Sequence, residues 1–221
     1  MKIITAFLAL GFAVQASAQS PSSSMERAVT AYSAMKTMRA EFQQTITNPL
    51  TGTRSVSRGV ILRRQPNLLS VNFSDPKGDR VVADGKSLWV YLPSSAPGQV
   101  IRMPATGNGS MAMVDPGGLF MSAPASRYII TTAGTATIGG RSTNALLLVP
   151  KKQNSAFNRA KVWIDPADNS IRQFEVEDVN GLTRVVTITS LKSNVTIARS
   201  EFDFTPPARV RIVNSSSLSG M

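Results

Sequence analysis

Any chemistry in this chain has to be done without histidine or cysteine, since its 221 residues contain neither. That removes the usual base of a hydrolytic triad, the commonest zinc ligands and every thiol nucleophile. Gly107-Asn108-Gly109-Ser110 does not spell the G-x-S-x-G of a nucleophile elbow. No P-loop or G-x-G-x-x-G follows an expected strand. Asp75, Asp79 and Asp84 are close enough in sequence to suggest a carboxylate site, but each stands next to a proline or a glycine, where turns are made. No catalytic residue, metal site or cofactor is expected.

Apolar surface remains, and it is concentrated in Gln65 to Pro93. Leu68 to Phe73, Arg80 to Ala83 and Leu88 to Leu92 are apolar runs separated by Asp75-Pro76-Lys77-Gly78 and Asp84-Gly85-Lys86. Asp-Pro starts turns, and glycine accepts the positive φ of a tight hairpin, so a three-strand antiparallel meander is predicted. Alternation puts Leu69, Val71 and Phe73 on one face of its first strand. In the third strand Trp89 and Tyr91 share one side, with Leu88, Val90 and Leu92 on the other. A strand apolar on both faces is covered on both, or one of its faces lines an apolar cavity.

These residues resemble a known family. Asp84-Gly85-Lys86-Ser87-Leu88-Trp89-Val90-Tyr91-Leu92-Pro93 is similar to the D-G-K-x-L-W-x-Y-x-P run of LolA-type periplasmic lipoprotein carriers. Gln65-Pro66-Asn67-Leu68-Leu69-Ser70-Val71 is a looser version of their R-P-N-x-F-x-W. Ala40-Glu41-Phe42-Gln43-Gln44-Thr45 resembles their first-strand F-x-Q-T, and Phe202 to Val210 their closing F-x-F-x-P-P-x-G-V. The resemblance implies an incomplete barrel with a lid over an apolar cavity. It also implies a chaperone that takes acylated lipoproteins from an inner-membrane lipoprotein-releasing transporter towards the outer membrane, where a receptor is a candidate acceptor. An arginine of the family, thought to latch the lid, is replaced here by Gln65, with Arg64 beside it.

Compartment and charge agree with an exported carrier. Residues 1–18 have one basic residue, an apolar run from Ile3 to Val14, and Ala16-Ser17-Ala18 ahead of Gln19, the pattern of a cleaved secretory signal. The run is shorter than the roughly 20 residues a membrane span needs. Without cysteine the mature chain cannot carry an N-terminal lipid, so a soluble periplasmic protein is expected, as a monomer. Lys and Arg number 24 against 13 Asp and Glu. An exported protein meets little nucleic acid, so none is expected as partner; anionic lipid surfaces or acidic proteins suit the charge better, unless it only aids solubility.

Residues 19–24 read as a mobile leader, 25–213 as one domain and 214–221 as a frayed tail. Ser23 and Glu26 fit a capping box, and Met25, Ala28, Val29, Tyr32 and Met35 make the stripe of an amphipathic helix ending near Thr37. Ten or eleven strands follow, with an irregular, methionine-rich flap from Pro104 to Ala125. The fold class is mainly β with helices: a strongly curved antiparallel sheet forming an incomplete β-barrel, with the N-terminal helix and a lid over an apolar cavity. The expected lining is Phe42, Leu69, Val71, Phe73, Trp89 and Tyr91, with Met111, Met113 and Phe120 on the lid side. Arg64 and Gln65 are expected to latch the flap. A carrier of other lipids or glycolipids, a sensor of mislocalised lipoprotein, a lipid- or wall-acting enzyme and a ligand-free scaffold are the alternatives. Co-purifying lipid favours the carriers; labelling by a serine-directed probe favours the enzyme.

Overall fold

Serine and proline decide where the first helix begins. Ser20 caps it, accepting a bond from the Ser23 N–H at 3.2 Å, and Pro21 takes the first position, where its missing N–H costs nothing. Helix α1 spans Pro21–Ala34. It therefore starts four residues before the expected Met25, taking in most of the supposed leader, and stops short of Thr37. The structure is a computed structural model, and it describes residues 20–105, 120–152 and 157–214. The tip of the expected flap, with Met111 and Met113, lies outside the described residues.

Six strands follow α1: β1 (Thr37–Asn48), β2 (Thr53–Arg64), β3 (Leu68–Asp75), β4 (Arg80–Asp84), β5 (Ser87–Tyr91) and β6 (Gln99–Pro104). The short helix α2 (Pro124–Arg127) leads to β7 (Tyr128–Ile138), β8 (Arg141–Pro150), β9 (Arg159–Ile164), β10 (Ile171–Glu177) and β11 (Thr183–Ser193). A 3-10 turn at Arg199–Phe202 precedes β12 (Arg211–Asn214). All twelve strands belong to one sheet, ordered β12-β6-β5-β4-β3-β2-β1-β11-β10-β9-β8-β7. The meander predicted from Gln65 to Pro93 is β3, β4 and β5. Tyr128–Thr132 and Thr135–Ile138, read as two strands, form one, with a register shift between Thr132 and Thr135 where Gly134 takes φ 89°. Neither edge strand, β7 or β12, pairs with the other among the described residues, so the curved sheet is an incomplete barrel.

Alternation divides the sheet into two apolar faces. The concave core contains Ala40, Phe42, Ile61, Leu69, Val71, Val81, Ala83 and Leu88, and α1 lies on it through Met25, Ala28, Tyr32 and Met35. Gly59 makes room there for the edge-on pair of Phe42 and Phe73, whose centroids are 5.6 Å apart. A Cβ on Gly59 would stand 2.3 Å from the Asn72 carbonyl oxygen. The convex face carries a smaller cluster, Leu62, Ile197 and Phe202, edged by Val60, Leu68 and Val195. The chain after β11 crosses this face, held where Arg80 donates to the Glu201 carbonyl (3.1 Å) and Arg199 to the Asp84 carbonyl (3.0 Å). The crossing delivers β12 to β6 as the one parallel pair among the described residues.

Candidate functional site

The meander's turn residues explain one resembling motif. Asp84 accepts from the Lys86 and Ser87 N–H groups, each at 2.8 Å, and from the Trp89 indole N–H at 2.9 Å. Burial would raise its pKa, but those bonds and the charge of Arg199 outweigh it and hold the carboxyl below the usual range. Trp89 and Tyr91 then pack on Phe204, with centroids 5.7 and 6.1 Å away. Two of the segments that suggested the family thus meet on the convex face. This corrects the expected lining: Trp89 and Tyr91 point away from the concavity, and Leu88 and Val90 of the same strand point into it. Trp89 in β5 sits opposite Val82 in β4, and the Asp84 bond fixes its orientation, so Tyr91, two residues on, shares its face and the alternate residues Leu88 and Val90 face inward. Asp75 pairs with Arg58 at 3.3 Å, and Asp79 accepts from the Ser94 N–H and hydroxyl at 3.0 and 2.6 Å. The three carboxylates hold turns and do not converge.

Among the described residues, free space on the concave side lies under α1. Ala28, Tyr32 and Met35 of the helix face Met38, Ala40, Ile61, Phe174, Ile188 and Leu191 of the sheet around a cavity of about 50 Å³, with Met121 and Ile171 at its margin. That is a few times the space of one water and far below an acyl chain. The cavity is partly enclosed and opens towards solvent. Phe42, Leu69, Val71 and Phe73 belong to the same apolar cluster but pack beyond this space. Phe120 is fully buried, edge-on to Phe157 at 5.8 Å and tilted against Phe174 at 6.1 Å. A second space of about 240 Å³ adjoins the start of α1, bordered by Ser24, Arg27, Asn144, Leu146, Ile164, Pro166 and Asn169.

The latch is built differently from the expectation. Gln65 donates through its side-chain amide to the Ser33 carbonyl at 2.8 Å and the Met35 carbonyl at 3.3 Å. It holds the end of α1. Arg64 faces the other way, donating to the Ile197 carbonyl, and clamps the crossing segment on the convex side. Arg63 is the residue that the sequence reading misses. It donates to the Tyr32 and Met35 carbonyls at 3.0 and 2.9 Å, and its guanidinium lies 4.0 Å from the centroid of the Tyr32 ring. These carbonyls lie at the helix C-terminus, where a cation is favoured; that of Tyr32 also accepts the Met35 N–H at 3.2 Å. Arg63 and Gln65 are two residues apart and so share a strand face, a signal the sequence did carry.

The turn after β9 is fixed by charge. Buried Asp165 receives Arg141 and Arg172, the latter at 3.2 Å, and its second oxygen accepts the Ala167 N–H at 2.9 Å. Burial would raise its pKa, but the Ala167 N–H and the two arginines hold the carboxyl below the usual range. No helix among the described residues is long and apolar enough to cross a membrane.

One sheet curved around an apolar face, open between its edges among the described residues and roofed by a helix held at one end, defines a half-barrel with an apolar concavity. Residues 33–110 and 135–205 match the family described as outer membrane lipoprotein carrier protein LolA, and the chain belongs to that family. The outer-membrane lipoprotein carrier protein of Chromobacterium violaceum is 26% identical over 184 residues, covering 82% of this chain and 83% of its own. The protein of the same description from Serratia proteamaculans is 24% identical over 179 residues, covering 80% and 81%. An uncharacterized conserved protein from Thermus thermophilus shares the fold with TM-score 0.56 and 15% identity, over 89% of this chain and 99% of its own. So does a chain in the MucA/MucB complex of Pseudomonas aeruginosa, with TM-score 0.51 and 14% identity, over 87% and 63%.

Proposed function

We propose that this protein is a periplasmic carrier that holds the acyl chains of lipoproteins against its concave face and moves them from the inner to the outer membrane. The observation that carries the reading is the small, partly enclosed apolar cavity under a helix whose far end is held by Arg63 and Gln65. Family membership supplies the cargo class. Each methylene taken from water contributes about 0.8 kcal/mol, so one long acyl chain has on the order of 10 kcal/mol to offer. Much of that is offset, because α1 must leave the apolar surface that the chain then covers. Small net affinity from large opposing contributions suits a carrier that must release its load.

Export on residues 1–18, delivery by an inner-membrane lipoprotein-releasing transporter and transfer at the outer membrane complete the proposal. The work is binding and handover; no catalytic group takes part. Mass spectrometry of protein purified gently from cell envelopes tests it. Triacylated lipoprotein should co-purify; free lipid alone, or nothing, would contradict the cargo assignment.

A further inference from the structure

Two neighbouring hairpin turns stand at the end of the sheet opposite the latch, and each lifts an apolar side chain into solvent. Leu50, between β1 and β2, is 81% exposed, and Val179, between β10 and β11, is 61% exposed, the two highest values among the exposed large hydrophobic residues described. The turns touch: a Cβ on Gly181 would be 3.5 Å from the Pro49 ring. Neither apolar side chain is needed to make its turn. Asn48 accepts from the Leu50 N–H at 2.9 Å and Gly52 takes φ 66°, while Asp178 accepts from the Asn180 and Leu182 N–H groups and Gly181 takes φ 80°.

Charge around the pair is positive on balance, with Arg54, Arg159 and Arg184 set against Glu177 and Asp178. Arg54 is exposed on β2 just behind the Leu50 tip, whereas Arg184 on β11 is half-buried with the Asp178 charge acting on it. Glu177 pairs with Arg159 at 2.6 Å, and Asp178, which accepts from its own turn, acts electrostatically on Arg184. We propose that these two tips are a membrane-contact site for an anionic phospholipid surface, with Leu50 and Val179 entering the headgroup region and the exposed Arg54 facing the phosphates. Apolar tips backed by basic residues bind such interfaces through buried area plus attraction to anionic lipid. A protein surface with matching acidic groups is the competing partner. The lipid surface is favoured because the two side chains project from turns; they do not line a groove. β1 is twelve residues long, so the tips stand roughly 35–40 Å from the latch. The carrier could rest on a bilayer while α1 stays free to open.

The inference rests on the carrier reading, but its test uses cargo-free protein, so its failure leaves the cargo assignment standing. Purified mature protein is sedimented with protein-free vesicles of phosphatidylglycerol and phosphatidylethanolamine, and with vesicles of phosphatidylcholine alone. Binding should occur with the first, weaken with salt, and fall about tenfold or more in the Leu50→Ser, Val179→Ser double variant. The Leu50→Trp variant should bind at least as well and add a blue-shifted emission on the anionic vesicles. Equal sedimentation of the double variant, no emission shift from Leu50→Trp, or binding only to native membranes that contain protein would each overturn the proposal.

Discussion

Replacing Arg63 with Gln should make the carrier hold its cargo more tightly. In the closed form Arg63 makes two charge-assisted bonds to the end of α1, at 3.0 and 2.9 Å, worth about 2 kcal/mol each. Its position 4.0 Å from the Tyr32 centroid adds about 1 kcal/mol. Against this, the Arg63 Nε is buried without a partner, a cost of about 2 kcal/mol. The latch is therefore worth about 3 kcal/mol net to the closed state. If opening must precede binding, removing the latch shifts the equilibrium by about a hundredfold at most. Competition binding with a fluorescent acyl probe should find affinity raised by about ten- to a hundredfold, with slower release to an acceptor. Hydrogen exchange should speed up in α1, most of all from Tyr32 to Met35. Weaker binding by Arg63→Gln with the fold intact, or unchanged exchange in α1, would refute the latch.

Three further outcomes follow from the packing. Trp89→Ala should lower stability by about 2 kcal/mol in urea unfolding and leave acyl affinity within about twofold, because Trp89 packs on Phe204 across the sheet from the cavity. Gly59→Ala should destabilise by about 3 kcal/mol or abolish folding, since the added methyl meets backbone at 2.3 Å. Asp84 has a folded-state pKa below its ordinary value, so its contribution is complete above about pH 4 and lost as pH falls through the folded value. Asp84→Asn should be less stable at pH 7 by about 2 kcal/mol, and its deficit should shrink below about pH 4 in acid-unfolding curves.

Much of the fold is legible because the strands obey simple local rules. Asp84-Gly85 and Asn180-Gly181 mark turns, and alternation in Leu68 to Phe73 chooses the concave side correctly. Alternation alone cannot orient β5, apolar on both faces, and side-chain size is a poor guide to the side that Trp89 and Tyr91 take. What decides it is a bond within the turn, from the Trp89 indole to Asp84, and a partner more than a hundred residues away, Phe204. The cavity is harder to read than the sheet. Tyr32 and Met35 are recognisable as a helix stripe, but which strands they face depends on how β1 pairs with β11, a long-range choice. The family's pattern points to Gln65 and its neighbour Arg64 for the latch, whereas period two makes Arg63 the residue that shares the face of Gln65. The start of α1 shows a local rule outcompeted by a better one, since Ser20-Pro21 caps earlier than Ser23 can.

If acyl chains occupy the concave face beneath α1, a photoreactive group near the end of one acyl chain of a triacylated peptide must react there. The crosslinked residues are located by mass spectrometry. Crosslinks should fall on Tyr32, Ile61, Phe174 and Ile188, residues that line the cavity. Crosslinks on Trp89, Tyr91 and Phe204, or none at peptide concentrations that saturate binding, would contradict it.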